Sequence, residues 1–229
     1  MHGTDDGQHP HDDRGPAVAP VMDEAFWDER YRSAPALWSG EPNGQLVAEV
    51  TGDAPGRALD VGCGEGADAI WLARAGWSVT GVDIAGTALE RARTHAGAAG
   101  DGIADRITWM QRDLSAWVPD PEAFDLVSAQ YLPVPAAERP ALRRRLADAV
   151  APGGTLLLVD HDPSGLAASD DRRAVADFFA TADETVAALP SDDWEILVAE
   201  ARPRPVTDPD GNRVAVDDVV VVARKRSTA

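Results

Sequence analysis

Residues Arg57 to Ala67 read Arg-Ala-Leu-Asp-Val-Gly-Cys-Gly-Glu-Gly-Ala. A short apolar run with one embedded acid, Asp60, leads into a turn that carries three glycines. Apolar residues at helical spacing follow, so this stretch predicts a buried strand, a tight turn and a helix. Glycines permit positive φ angles and let a ligand approach the main chain, and the N-terminus of the following helix offers free N–H groups. The stretch therefore predicts a cradle for a nucleotide-type ligand.

Two kinds of nucleotide ligand fit this cradle. Gly62-x-Gly64-x-x-Ala67 satisfies the dinucleotide pattern G-x-G-x-x-G/A, and Asp83 follows about twenty residues later, as that pattern requires. The same stretch satisfies D-x-G-x-G-x-G, beginning at Asp60. A carboxylate at this position suits a ligand with a cationic amine and is a poor neighbour for a pyrophosphate. S-adenosylmethionine has an ammonium, a carboxylate and a sulfonium but no phosphate, so Asp60 favours it as the cofactor.

With this motif the chain resembles the class I S-adenosylmethionine-dependent methyltransferases. A second feature agrees: Pro152-Gly153-Gly154 precedes an apolar run, a pattern that is frequent in that family and rare in dinucleotide-binding folds. The resemblance covers roughly residues 23–226. Within this range the residues predict a helix over Gly86–Ala98, a third strand over Ile107–Gln111, a helix over Ala136–Ala149, a helix that begins with a capping box of Thr181 and Glu184, and a turn over residues 203–212. The resemblance implies an α/β, Rossmann-like fold with a seven-stranded, mostly parallel sheet, an antiparallel last strand and helices on both faces. It also implies that S-adenosyl-L-homocysteine is the product formed from the cofactor.

Further cofactor contacts are predicted at the ends of the next strands. Asp83 ends the second strand and can accept hydrogen bonds from both ribose hydroxyls, although a surface acid that caps the next helix is an alternative. The resemblance implies that Asp113 accepts from the adenine amino group while the backbone N–H of Leu114 meets a ring nitrogen; a turn-stabilising Asp113 is the alternative. The predicted cofactor-binding residues are Trp27, Tyr31, Trp38, Asp60, Gly62, Cys63, Gly64, Asp83, Ile84, Asp113, Leu114 and Gln130.

The sequence divides the chain into an N-terminal tail and a single domain. Residues 1–22 are rich in Gly, Pro, Asp and His and predict a disordered tail, whereas residues 23–229 predict a single domain. The N-terminal segment, residues 23–56, predicts two helices that form a lid over the cofactor. Its aromatic-rich sequence is similar to the start of the thiopurine and tellurite-resistance methyltransferases, in which the corresponding stretch wraps the cofactor. Trp27 and Tyr31 either contact the cofactor in this way or pack their helix onto the sheet. Trp38 is in a loop and is the better candidate for contact with the ligand.

The residues predicted to face the methyl acceptor follow the fourth and fifth strands. Enzymes that methylate amino groups of bases carry Asn/Asp-Pro-Pro-aromatic after the fourth strand, whereas this chain has Ser-Ala-Gln-Tyr at residues 128–131. Gln130 and Tyr131 therefore either contact the sulfonium or the substrate, or merely end a strand. His161 ends the fifth strand and is the candidate general base. The alternative is that His161 only helps to fix the conformation of a loop. No metal site is predicted, because Asp160, His161 and Asp162 lack a further ligand group.

Composition restricts the partners of the protein. The formal net charge is −18, and no clustered basic surface is evident, which argues against binding to nucleic acid. No apolar run is long enough to cross a membrane, and no signal peptide is recognisable, so a cytoplasmic location is expected. The single cysteine, Cys63, is interpreted as a small residue beside the ligand. The oligomeric state is left open.

The sequence thus predicts methylation of a small molecule, neutral or cationic, at a soft sulfur-type or heteroaromatic nucleophile. Three alternatives remain at this point. They are a base-assisted O- or N-methyltransferase, a non-catalytic regulator that binds S-adenosylmethionine, and a dinucleotide-dependent oxidoreductase.

Overall fold

The structure, a computed structural model, describes residues 21–164, 176–190, 192–207 and 211–227. Nearly all of the predicted N-terminal tail lies outside these residues. Where the chain is described, no helix is both long and apolar enough to cross a membrane. The elements, in chain order, are α1 Glu24–Arg32, α2 Gly44–Val50, β1 Arg57–Val61, α3 Ala67–Arg74, β2 Ser78–Asp83, α4 Gly86–Ala98, β3 Ile107–Gln111, β4 Phe124–Gln130, α5 Arg139–Ala149, β5 Val150–His161, α6 Ala182–Ala187, β6 Trp194–Thr207 and β7 Arg213–Lys225.

The seven strands form one sheet in the order β3-β2-β1-β4-β5-β7-β6. The neighbouring pairs β3–β2, β2–β1, β1–β4 and β4–β5 are parallel, and β7 is antiparallel to both β5 and β6. The predicted seven-stranded, mostly parallel sheet with an antiparallel last strand is therefore confirmed. Because β1 and β4 lie side by side, the strand order reverses at β1, and open α/β sheets bind ligands at the carboxyl ends of strands near such a point.

Helices cover both faces of the sheet, as predicted. On one face, Ala58 of β1 packs with residues of α2 and α3, including Leu46 and Leu72. On the opposite face, Leu59 of the same strand packs with residues of α5, including Leu146. Successive residues of a strand point to opposite faces, so the nearly continuous apolar run of β1 is buried on both sides.

Three predicted boundaries differ from the structure. Helix α5 begins at Arg139 rather than at residue 136, with Glu138 as its N-cap and Pro140 in its first turn, where a missing N–H costs nothing. Gly153 and Gly154 lie inside β5 instead of before it, at an irregularity in the pairing with β4. The turn predicted over residues 203–212 is shorter, because β6 continues to Thr207. Pro203 and Pro205 are tolerated there because β6 is the edge strand of the sheet.

Candidate functional site

A cavity opens at the carboxyl ends of β1, β2, β4 and β5, beneath part of the N-terminal segment. Every residue that the sequence predicted for the site lines this cavity, and the structure thus brings together elements that are far apart in the chain. These lining residues are Trp27, Tyr31, Trp38, Asp60, Gly62, Cys63, Gly64, Asp83, Ile84, Asp113, Leu114, Gln130, Tyr131 and His161.

The glycine turn between β1 and α3 requires glycine for two separate reasons. Gly62 and Gly64 have φ angles of 71° and 52°, which L side chains rarely adopt. A Cβ atom at Gly62 would lie 2.8 Å from the Leu132 Cδ1 atom, and one at Gly64 would lie 2.9 Å from the Tyr31 hydroxyl oxygen. The N–H groups of Gly62 and Cys63 both donate to the carbonyl of Val82, which ties the turn to β2.

Two acids, Asp60 and Asp68, lie close together beside the turn. Asp60 is buried, and its Oδ2 atom has no hydrogen-bond partner among the described residues. Burial raises the pKa of Asp60 well above its usual value, and the carboxyls of Asp68 and Asp83 raise it further. Burial also raises the pKa of Asp68 to about 6, although its carboxylate accepts a hydrogen bond of 2.6 Å from the N–H of Asn43. A cationic group in the cavity would stabilise the ionised form of both acids.

Asp83 links the turn to the start of α4. Its Oδ2 atom accepts from the N–H of Gly64 at 2.9 Å, and its Oδ1 atom accepts from the N–H of Ala85 at 2.8 Å. Burial raises the pKa of this carboxyl. Asp83 is only 7% exposed and is therefore not a surface acid, but its contact with Ala85 at the start of α4 agrees with the helix-capping part of that alternative. A carboxylate offers about four acceptor positions, so the two oxygens can still accept from ligand hydroxyls.

In the region predicted to hold adenine, Asp113 both stabilises a turn and lies at the cavity. Its Oδ1 atom accepts from the N–H of Ser115 at 2.8 Å, which is the turn-stabilising contact. The side chain is nevertheless exposed and lines the cavity together with Ile84 and Leu114. The carbonyl of Leu114 accepts from Arg145 at 2.6 Å, which fixes this loop against α5.

The aromatic residues of the N-terminal segment lie over the glycine turn. Trp38 Nε1 donates to the Tyr31 hydroxyl at 3.1 Å, and this hydroxyl is the atom that approaches Gly64. Trp38 is 51% exposed, whereas Tyr31 is buried. Trp27 and Tyr31 pack with Ala85 and Ala88, which joins α1 to α4, and both residues also line the cavity, so neither of the two predicted roles is decided.

Sequence reasoning missed Glu65, which fastens this segment. Its Oε2 atom accepts from the N–H groups of Leu37 and Trp38 at 3.1 and 3.2 Å. Its Oε1 atom lies 2.8 Å from Arg91 Nη1, and the other terminal nitrogen of Arg91 donates to the carbonyls of Tyr31 and Ala34. Glu65 occupies a variable position of the glycine motif, and nothing in its local sequence distinguishes it.

The opposite end of the cavity combines polar groups with apolar walls. The Tyr131 ring stacks on the His161 ring with centroids 4.5 Å apart, and the edge of Phe179 meets His161. Gln130 donates to Ser128 Oγ at 2.7 Å, while its buried Oε1 atom has no partner among the described residues. The apolar wall consists of Leu132, Pro133, Val134, Ala137, Ala141, Leu142, Phe178 and Phe179.

Two further residues at this end were missed. Asp218 of β7 is completely buried, and Arg204 of β6 lines the cavity. Arg204 was missed because residues 203–212 were interpreted as a turn, whereas β6 continues through it to Thr207. Asp218 lies within a strand that the sequence predicts, but its contact with Tyr131 has no local signal. Within the described ranges, no group of three or more His, Cys, Asp or Glu residues is arranged to hold a metal ion.

Comparison with known proteins agrees with this architecture. Residues 58–154 match the family model described as "Methyltransferase domain". The chain is 29% identical to the methyltransferase GfsG of Streptomyces halstedii, over 77% of this chain and 63% of that protein. It is also 29% identical to thiocyanate methyltransferase 1 of Brassica oleracea, over 62% of this chain and 66% of the relative. The chain thus spans less than two thirds of each relative's length.

A solved structure, from work on the conversion of a disulfide bond into a thioacetal group during echinomycin biosynthesis, has a TM-score of 0.67 to this chain. The two are 25% identical, and the match covers 90% of this chain and 93% of the other. Residues 58–154 thus resemble a methyltransferase domain, and these similarities support a class I, S-adenosylmethionine-dependent methyltransferase, as the glycine turn indicated.

Proposed function

We propose that this protein transfers a methyl group from S-adenosylmethionine to a small molecule, at a soft sulfur-type or heteroaromatic nucleophile. The observation that carries this proposal is the unpartnered, buried Oδ2 atom of Asp60 beside a glycine turn. A buried polar atom without a partner is costly, and a buried carboxylate more so. An ammonium group supplies the missing partner, whereas a pyrophosphate would be repelled by Asp60, Asp68 and Asp83.

The residues present fit the rest of the cofactor. In this proposal Asp60 and the turn from Gly62 to Gly64 hold its amino-acid end, and Asp83 accepts from its ribose hydroxyls. Asp113 and the N–H of Leu114 contact adenine, with Ile84 beside the base. Trp27, Tyr31, Trp38 and the rest of residues 23–56 act as a lid, and Gln130 is close to the sulfonium.

The cofactor supplies an electrophilic methyl group on a positively charged sulfur. Such a displacement chiefly requires alignment and exclusion of water. The stacked rings of Tyr131 and His161 and the apolar wall described above would orient a flat acceptor and keep water away. A thiol of low pKa reaches the site already ionised and needs no strong protein base. His161 is the candidate base for an oxygen or nitrogen acceptor.

Two similarities support a sulfur acceptor. One relative is named for thiocyanate methylation, and one similar structure comes from work on conversion of a disulfide into a thioacetal. The apolar wall favours an aromatic or otherwise apolar acceptor body. Nucleic acid is not the proposed acceptor, because the net charge of −18 would repel it.

Incubation of the purified protein with S-adenosylmethionine and a panel of aromatic thiols, phenols and amines tests the proposal. We expect stoichiometric formation of S-adenosylhomocysteine and methyl thioether with at least one aromatic thiol. The variant Asp60→Asn keeps the side-chain size but removes the negative charge, so it should bind the cofactor more weakly. Tight cofactor binding without turnover on any acceptor would identify a sensor instead. Turnover confined to phenols or amines would identify a base-assisted O- or N-methyltransferase.

A further inference from the structure

Three side chains from separate elements converge on one buried carboxylate at the acceptor end of the cavity. The Tyr131 hydroxyl donates to Asp218 Oδ2 at 2.8 Å. Arg204 donates from Nε to the same oxygen at 2.7 Å and from Nη2 to Oδ1 at 3.2 Å. His161 Nδ1 lies 3.9 Å from Asp218 Oδ1. Asp218 has no exposed surface, so these three side chains, and not water, stabilise the negative charge of its carboxylate.

The groups around Asp218 also contact one another. The guanidinium carbon of Arg204 lies 5.3 Å from the centroid of the Tyr131 ring, whose stacking on His161 is described above. Tyr131, His161 and Arg204 all line the cavity, whereas Asp218 does not. Any effect of Asp218 on a bound acceptor must therefore pass through these three side chains.

The backbone of Tyr131 shows why a restraint is needed. Its φ angle is 50°, a left-handed conformation that a bulky residue adopts at a cost and keeps only where surrounding contacts enforce it. The N–H of Tyr131 donates to the carbonyl of Val159 at 2.6 Å, which fixes the main chain. The bond from its hydroxyl to Asp218 fixes the other end of the side chain.

We propose that Asp218 is a positioning residue for the acceptor: it clamps Tyr131 and Arg204 so that the Tyr131–His161 stack presents a fixed surface to a flat, aromatic acceptor. This rests on the proposed function. The Tyr131 hydroxyl gives its only proton to Asp218, so its oxygen can only accept from the acceptor molecule. Asp218 balances the positive charge of Arg204. This end of the cavity therefore has no excess charge beside the stacked rings and suits the aromatic ring of an acceptor.

The variant Asp218→Asn tests the clamp, because an amide of nearly the same size cannot accept at both ends. If the amide oxygen takes the place of Oδ2, the amide nitrogen cannot accept from Arg204 Nη2; in the other orientation, Tyr131 and Arg204 Nε both lose their acceptor. Asp217→Asn is the matched control, since Asp217 is adjacent in the chain, exposed and outside the cavity. Tyr131→Phe is a second variant that removes only the hydroxyl, in case Asp218→Asn folds poorly.

The first readout is acceptor kinetics beside cofactor binding. We expect Asp218→Asn and Tyr131→Phe to raise the acceptor KM or lower kcat/KM about tenfold, which corresponds to about 1.4 kcal/mol. The dissociation constant for S-adenosylhomocysteine should change less than about twofold, and Asp217→Asn should behave as the wild type. A parallel loss of cofactor affinity and melting temperature would show a merely structural role and overturn the proposal.

The second readout needs no turnover. The chain has two tyrosines, so in a Tyr31→Phe background the ultraviolet titration of phenol reports Tyr131 alone. Burial raises the pKa of Tyr131, and the hydrogen bond to Asp218 raises it further. Loss of the Asp218 charge beside Arg204 should therefore lower this pKa, whereas an unchanged titration would overturn the clamp.

The two proposals fail in different ways. A wild-type protein that methylates no acceptor would overturn the proposed function and, with it, the role of Asp218 in methyl transfer. An active wild type with unchanged kinetics in both variants would overturn the role of Asp218 alone.

Discussion

The ion pair between Arg91 Nη1 and Glu65 Oε1, 2.8 Å apart, joins the glycine turn to α4. Glu65 is 6% exposed in its side chain and belongs to the turn, while Arg91 belongs to α4. Through its second terminal nitrogen, Arg91 also holds two carbonyls at the end of α1 and just after it. These contacts, together with those of Glu65 to Leu37 and Trp38, tie the end of α1 and the loop after it to the glycine turn.

Arg91→Ala should loosen residues 33–43 and weaken cofactor binding. Hydrogen bonds to charged groups contribute about 1.5–3 kcal/mol each when buried. Removal of the guanidinium loses this free energy, and part of the loss favours an open conformation of the lid. We expect affinity for S-adenosylhomocysteine to fall about tenfold in calorimetry and proteolysis in this loop to become faster. Arg93→Ala, on the exposed side of the same helix, is the control and should leave both unchanged. Equal affinity in the two variants would mean that the lid does not restrain the cofactor.

Much of the central sheet was predictable, because its strands and turns carry local signals. The bounds of β3 and α4 agree with the prediction to the residue, since apolar runs and a glycine-rich loop delimit them. The capping box of Thr181 and Glu184 is also present at the start of α6. Most of the predicted site residues meet in one cavity because strand ends carry them there, and Trp27, Tyr31 and Trp38 reach it from α1 and the loop that follows.

The parts that the sequence could not predict depend on long-range contacts. Glu65 accepts from residues 27 and 28 positions earlier, and Asp218 accepts from a residue 87 positions earlier. Neither contact has a local pattern. The length of the β6–β7 hairpin was likewise missed, because two prolines suggested a turn where an edge strand tolerates them.

Asp83→Ala should weaken cofactor binding about tenfold or more while the protein still folds. Ribose hydroxyls would lose a charged acceptor, a loss of about 1.5–3 kcal/mol. The melting temperature should also fall, because the N–H groups of Gly64 and Ala85 lose their partner. Asp101→Ala, in an exposed loop, is the control for calorimetry and thermal melting. A lower melting temperature with an unchanged dissociation constant would limit Asp83 to tying the turn to α4.

Asp68 should make the ligand-free protein less stable at higher pH. Its pKa of about 6 in the folded protein exceeds its ordinary value of 3.8 because of burial. The folded state therefore binds the proton more tightly, so this contribution to stability is complete below the ordinary pKa and is lost as the pH rises through about 6. Asp68→Asn should melt higher than the wild type at about pH 8, with a smaller gain at about pH 4. A gain independent of pH would refute this assignment.

His161→Ala should keep most of its kcat on aromatic thiols of low pKa, although loss of the stacked ring should raise their KM about tenfold. Such acceptors arrive as thiolates, so loss of an imidazole removes packing against Tyr131 but no required base. With a phenol or a protonated amine, loss of a general base should instead cost about 10²–10⁴-fold in rate. Comparison of kcat/KM on the two acceptor classes separates these cases. A collapse with thiols at normal cofactor affinity would favour the base-assisted O- or N-methyltransferase.

The most direct test of the account is calorimetric titration of the purified protein with S-adenosylhomocysteine and, separately, with NAD. Both ligands carry adenosine, so they differ mainly in what lies beside Asp60: an ammonium and carboxylate in one, a pyrophosphate in the other. We predict clear binding of S-adenosylhomocysteine and far weaker binding of NAD, with the preference reduced in Asp60→Asn. NAD binding that is comparable or tighter would contradict the cofactor assignment and the function built on it.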